Sequence, residues 1–170
     1  MVELEKVADE LSKHAATLKN LDDADAFGRS AFNRYYYATY LTVRDMLGQI
    51  NSKWAKVPHK NIPKTLEDDL VKLFRDNGRK QVLGKVLPES QLRSYLSQTN
   101  AAAGEIASTL TSAYMVRVTA DYEPDHKIEF IDEKISLASH TLDEAKNWKR
   151  RVEAKKGILI KVAKELGIVS

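Results

Sequence analysis

Three short stretches of the chain hold side chains that could do chemistry. Arg34-Tyr35-Tyr36-Tyr37-Ala38 sets a cation among aromatic rings. Pro58-His59-Lys60-Asn61 places an imidazole and an ammonium just ahead of a helix start. The run from Arg117 to Pro124 brings Arg117, Asp121, Tyr122 and Glu123 close together, with His126 just beyond. An arginine among large rings is expected to be buried or half-buried and then needs an anion. Asp121, Glu123 or a phosphate would serve Arg34 in that way. His59 and Lys60, near helix-start amides, suit a phosphate; alternatively His59 caps or bridges its loop. Arg117 and Asp121 are four residues apart, the spacing of a helical ion pair. An arginine at a helix end equally suits stabilisation of phosphoryl charge, with a nearby histidine as acid or base. Tyr36 reads as a core residue with its hydroxyl satisfied at the core edge.

No other pattern competes with these. The chain has no glycine-rich phosphate loop, no histidine pair at metal spacing and no nucleophile elbow. His14, His59, His126 and His140 are scattered. The absence of cysteine excludes disulfides, thiolate chemistry and cysteine-based zinc sites. No cofactor and no metal are called for.

These residues need elements to position them, and helical periodicity dominates the 170-residue chain. A first helix is expected from about Val2 to Lys19, with Leu4, Val7, Ala8, Leu11, Ala15 and Leu18 as its apolar stripe. Asn20 with Asp22 or Asp23 supplies the stop and the next start. A second helix runs from about Ala24 to Ile50. Its apolar side includes Phe32, Tyr36, Tyr40, Val43 and Leu47; Arg29, Asn33, Tyr37 and Arg44 fall near one line on another side. A loop from Gln49 to Pro63 follows. The third helix is expected over Thr65 to Asn77, stopped by Asn77-Gly78, and Arg79 to Leu87 is ambiguous. The fourth should run from near Pro88 and Glu89 to about Thr119, its Ala- and Ser-rich middle suited to close helix approach. After a polar break over Asp121 to Phe130, the last helix is expected from about Ile131 to Gly157, or on to Leu166 after an interruption at Gly157. The fold class is then all-α, an up-and-down bundle of four to five helices, with residues 1–170 as one domain.

The charge balance narrows the setting. With 27 Lys and Arg against 24 Asp and Glu, the formal net charge is +3, too mild to argue for nucleic acid by itself. The densest basic stretch, Lys146 to Lys156, reads first as a solvated helix face. No apolar run approaches the roughly 20 residues that span a bilayer, and the charged, amphipathic start lacks a signal peptide's apolar core. A cytoplasmic protein with no membrane partner is expected.

The three stretches together resemble the HEPN superfamily, in particular its small stand-alone prokaryotic proteins. The matching residues are Asn33-Arg34-Tyr35-Tyr36-Tyr37-Ala38, His59-Lys60-Asn61-Ile62 and Arg117 to Pro124, in the family's order and separations, across roughly Phe27 to Val152. The resemblance implies a homodimeric HEPN-like helical bundle. It implies a role directed at nucleic acid in toxin–antitoxin or antiviral defence, beside a nucleotidyltransferase-like antitoxin or another defence protein. It also implies metal-independent cleavage of RNA, in which an arginine stabilises the phosphorane and a histidine, separated from it by four to six residues, activates the ribose hydroxyl. Arg117 matches that arginine. Asp121 and Tyr122 follow it and no histidine stands at that spacing, so Asp121, or His59 from the other loop, would be the base. Arg34, Lys60, Tyr122 and His126 would then contact the nucleic acid. The alternative is a non-catalytic HEPN module that binds a nucleotide, a nucleic acid or a partner protein.

Overall fold

The computed structural model describes residues 3–131 and 133–169. Most of them are helical: α1 (Leu4–Thr17), α2 (Leu21–Ile50), α3 (Ile62–Lys64), α4 (Val71–Leu83), α5 (Glu89–Tyr122) and α6 (Leu142–Glu165). A turn of π type over Thr65–Leu70 joins α3 to α4. Three short strands, β1 (Glu129–Ile131), β2 (Lys134–Leu137) and β3 (His140–Thr141), form an antiparallel sheet in that order. The structure is thus mostly helical, as the all-α expectation has it, with a small three-stranded sheet that the expectation lacked. No helix among the described residues is long and apolar enough to cross a membrane.

The chain falls into two compact units. One takes the residues up to Leu41 together with Leu110–Arg150; the other takes Thr42–Thr109 and the residues from Arg151 on.

In the first unit α1 is shorter than its periodicity suggests, and its expected start at Val2 lies outside the described residues. Ala8 and Ala15 are buried, whereas Val7 is 39% exposed, so the packed stripe is narrow. Asn20 caps α2: its side-chain oxygen accepts from the backbone N–H of Asp22 at 2.9 Å and of Asp23 at 3.3 Å. Phe32, Tyr35, Tyr36, Ala113, Val116, Leu137 and Trp148 are buried in this unit. Residues expected to open the last helix instead build the sheet, which pairs Phe130 with Ile135 and Ile131 with Lys134. The helix starts later because Thr141 and Glu144 form a reciprocal capping box. The Thr141 N–H donates to Glu144 Oε2 at 2.9 Å and the Glu144 N–H to Thr141 Oγ1 at 3.2 Å. Part of the basic stretch makes ion pairs across to α1, with the Lys146 side chain still 60% exposed and that of Lys149 29%. Lys146 pairs with Asp9 at 3.1 Å and Lys149 with Glu5 at 2.5 Å, joining α6 to α1.

In the second unit two 3-10 turns, Ser52–Lys56 and His59–Asn61, occupy the expected loop. Helical backbone resumes at Ile62 with Pro63 in its first turn, where a missing N–H is harmless. The expected stop at Asn77-Gly78 is not one. Gly78 is buried inside α4, and a Cβ there would lie 2.2 Å from Leu92 Cδ1 and 3.4 Å from Leu166 Cδ2. Close packing, not termination, requires this glycine. α4 ends at Gly84, and Lys85 takes φ 59°. α6 continues through Gly157 without interruption. Leu47, Leu66, Leu70, Phe74, Ile106 and Leu159 are fully buried here.

Candidate functional site

Asp25, Arg29, Asn33 and Tyr37 recur every four residues along the first part of α2, so they share one side of it. Each reaches the end of α5 or the segment after it, in reverse chain order. The Asp25 carboxylate, 6% exposed, accepts the Ile128 N–H at 2.8 Å and pairs with Lys127 at 3.3 Å. Arg29 donates to the carbonyls of Ala120 and Thr119 at 3.0 Å each, of Glu123 at 3.1 Å, and of His126. The last carbonyls of a helix lack partners within it, and a cation there also meets the negative end of the helix dipole. Asn33 Nδ2 donates to Asp121 Oδ1 at 2.7 Å. Tyr37 Oη lies 3.5 Å from Arg117 Nη2.

Arg117 is the centre of the cluster. Its Nε stands 2.9 Å from Asp121 Oδ2, the ion pair that the spacing of four predicts. The contact is one of charge rather than an aligned hydrogen bond, because the buried Nε–H has no acceptor in line. The guanidinium carbon lies 5.1 Å from the centre of the Tyr122 ring and 5.9 Å from that of Tyr37. Burial works against the charge on Arg117, but the Tyr122 hydroxyl and the Asp121 carboxylate outweigh it and raise the guanidinium above its ordinary pKa.

The aromatic stretch of α2 divides by direction, since successive helix residues point about 100° apart. Tyr35 is buried and donates its hydroxyl to Asp9 at 2.5 Å. Burial, and then this carboxylate, push the Tyr35 phenol well above its ordinary pKa. Tyr36 is buried too, stacked on Tyr40 with ring centres 6.1 Å apart and tilted against Tyr114 at 6.0 Å. Burial likewise raises its phenol, as a core tyrosine requires. With two neighbouring directions taken by the core, Arg34 faces out. The expectation that it is buried, with Asp121 or Glu123 as its anion, is corrected. Asp121 serves Arg117 and Asn33, and Glu123 pairs with His126 at 3.1 Å. Among the described residues the Arg34 side chain has no ion pair or hydrogen bond.

Arg34 instead lines an open cleft of about 580 Å³ with Asp25, Arg29, Ser30, Asn33 and Asp121. This volume falls within the usual range for small-molecule sites. The cleft's two arginines differ in kind: Arg29 is spent on carbonyls, and Arg34 is available.

The structure therefore brings Arg117, Asp121 and Tyr122 together and sets Arg34 on the adjoining cleft. The His126 side chain is 69% exposed and turned to Glu123, while its carbonyl is one of the Arg29 acceptors. His59 and Lys60 belong to the second unit, on the turn His59–Asn61, with His59 half-buried and Lys60 exposed. Asp25 and Arg29 lie outside the matching motifs, and Asn33 lies within one but was given no site role. Their spacing of four was the available signal. No group of three or more His, Asp or Glu among the described residues is arranged to hold a metal ion. Compared with known proteins, the chain matches no family model, no curated protein and no solved structure.

Proposed function

We propose that this chain is a HEPN-type module directed at nucleic acid, working in a toxin–antitoxin or antiviral defence system. In this reading it binds a phosphodiester strand along the cleft on α2. The observation that carries the proposal is Arg34, an exposed guanidinium on the wall of a cleft with no anion of its own among the described residues. Phosphate oxygens are the partners such a group suits. The order of the three matching stretches and the helical architecture support the same assignment.

The chemistry of the cluster favours binding over cutting. A general base must be free to take a proton. Both oxygens of Asp121 already hold partners, and the His126 imidazole is turned to Glu123. Incubating the protein with total RNA and tRNA in EDTA, followed by gel-shift and sequencing-gel analysis, tests the proposal. Retarded but intact RNA is the expected result. RNA that is neither retarded nor cut contradicts it. Cleavage that disappears in Arg117→Ala establishes the ribonuclease reading in its place.

A homodimer, and a nucleotidyltransferase-like antitoxin as a further partner, belong to the same proposal. Met115 and Tyr122, 61% and 66% exposed and seven residues apart on α5, give an uncharged line for the second copy. Sedimentation analysis of the wild type and of Met115→Glu tests this: a dimer that the charge splits supports it, and a monomeric wild type rejects it.

A further inference from the structure

Arg29 and Arg117 lie in the same unit and are treated very differently by it. Arg29 meets four carbonyls, three of them at 3.0–3.1 Å, as a guanidinium fixed for structure should. The Arg117 side chain is only 15% exposed, yet its donors are poorly used. Its Nε–H has no acceptor in line, and its Nη2 reaches the tyrosine hydroxyls of Tyr37 and Tyr122 at 3.5 Å, beyond ordinary hydrogen-bond length. A guanidinium offers five N–H donors in a planar fork suited to two oxygens of a phosphate. The Asp121 carboxylate supplies charge to this fork without matching it.

Asp121 also borders the cleft that Arg34 lines. Its side chain is 26% exposed, and its second oxygen is held by Asn33 at 2.7 Å. An anion entering from the cleft would therefore meet the Arg117 guanidinium at the place this carboxylate fills. A change of side-chain rotamer is enough to withdraw Asp121, because the pair is built on one helical turn.

We infer that Asp121 is an internal plug: it occupies Arg117 in place of a nucleic-acid phosphate, and Asn33 holds it there. The structure is then the closed form of the site, and phosphate binding at Arg117 requires the Arg117–Asp121 pair to open. This inference rests on the nucleic-acid reading and adds a regulatory contact to it.

The test is the anisotropy of a fluorescein-labelled single-stranded RNA 20-mer, titrated with the full chain over a series of salt concentrations. Asp121→Asn keeps an acceptor for Asn33 and removes the charge. It is expected to bind about tenfold more tightly, the scale of one charge-assisted hydrogen bond. The plot of log affinity against log salt should steepen by about 0.7, the slope for one more neutralised phosphate on a single strand. Asn33→Ala frees the plug without touching either charge and should shift affinity the same way by less. In the double variant Asp121→Asn, Arg117→Gln the tighter binding should vanish. Circular dichroism melts confirm that each variant is folded; if Asp121→Asn is not, Asn33→Ala decides alone. Wild type that binds RNA while the folded variants bind no better overturns the plug and leaves the nucleic-acid reading standing. No binding by wild type or variants overturns both.

Discussion

The Asn33 amide donates to the Asp121 carboxylate at 2.7 Å, so the anion that meets Arg117 is positioned from α2 as well as from its own helix. This contact is one rung of a ladder. Asp25, Arg29, Asn33 and Tyr37 together fix where α5 ends and how the chain leaves it. The cleft is a by-product of that construction, since the ladder residues also form its wall.

The ladder should show in stability. Arg29→Ala strands carbonyls at the end of α5 and should cost about 2–4 kcal/mol. Asp25→Asn should cost less but speed hydrogen exchange at the Ile128 amide, whose acceptor is the Asp25 carboxylate. Urea unfolding and amide exchange measure the two effects. A loss below about 0.5 kcal/mol for Arg29→Ala would mean water replaces it freely.

Two glycines in the second unit should respond oppositely to alanine. At Gly78 the new methyl meets buried Leu92, and overpacking should cost about 1–2 kcal/mol despite the better helix propensity. At Gly157 nothing lies within 4 Å of a Cβ, and alanine should stabilise by about 0.5–1 kcal/mol. Thermal melts of both variants give the comparison. Equal shifts would show that propensity alone governs both sites.

Acid should weaken the first unit through Asp9. Burial raises the pKa of this carboxyl, but the Tyr35 hydroxyl and Lys146 outweigh burial and hold it below the usual carboxylate value. A carboxyl depressed on folding adds stability above its unfolded pKa, about 3.9. That contribution fades as pH falls from there through the lowered folded value. The gap in urea midpoint between wild type and Asp9→Asn should be full at pH 7 and close towards pH 2. A gap that stays constant with pH would assign the Asp9 contribution to packing.

Helices and their starts were largely legible in the chain. Asn20 with Asp22 or Asp23 signalled the break between the first two helices; Asn20 is the residue that caps the second, which starts at Leu21, three residues before its expected start. The sheet was not, because its turns place Glu133, Ala138 and Ser139 at positive φ, where glycine or asparagine would have advertised them. The Thr141–Glu144 capping box was the readable clue that the last helix starts late. Asn77-Gly78 misled because a glycine required by a neighbour looks the same as one that ends a helix. Within the site, the Arg117–Asp121 pair follows from spacing alone. The role of Arg29 does not, since its partners are backbone carbonyls that no side-chain pattern records. The exposure of Arg34 was not legible from its aromatic neighbours, because Tyr35 and Tyr36 take the buried directions of the helix.

The most direct test of the account is RNA binding by Arg34→Ala. Arg34 is exposed and unpaired among the described residues, so its removal should change stability by less than about 0.5 kcal/mol. Anisotropy titration of the labelled RNA 20-mer should show affinity about tenfold below wild type, with a shallower salt dependence. Equal affinity in Arg34→Ala, or no binding by the wild type, would contradict the assignment of this cleft to nucleic acid.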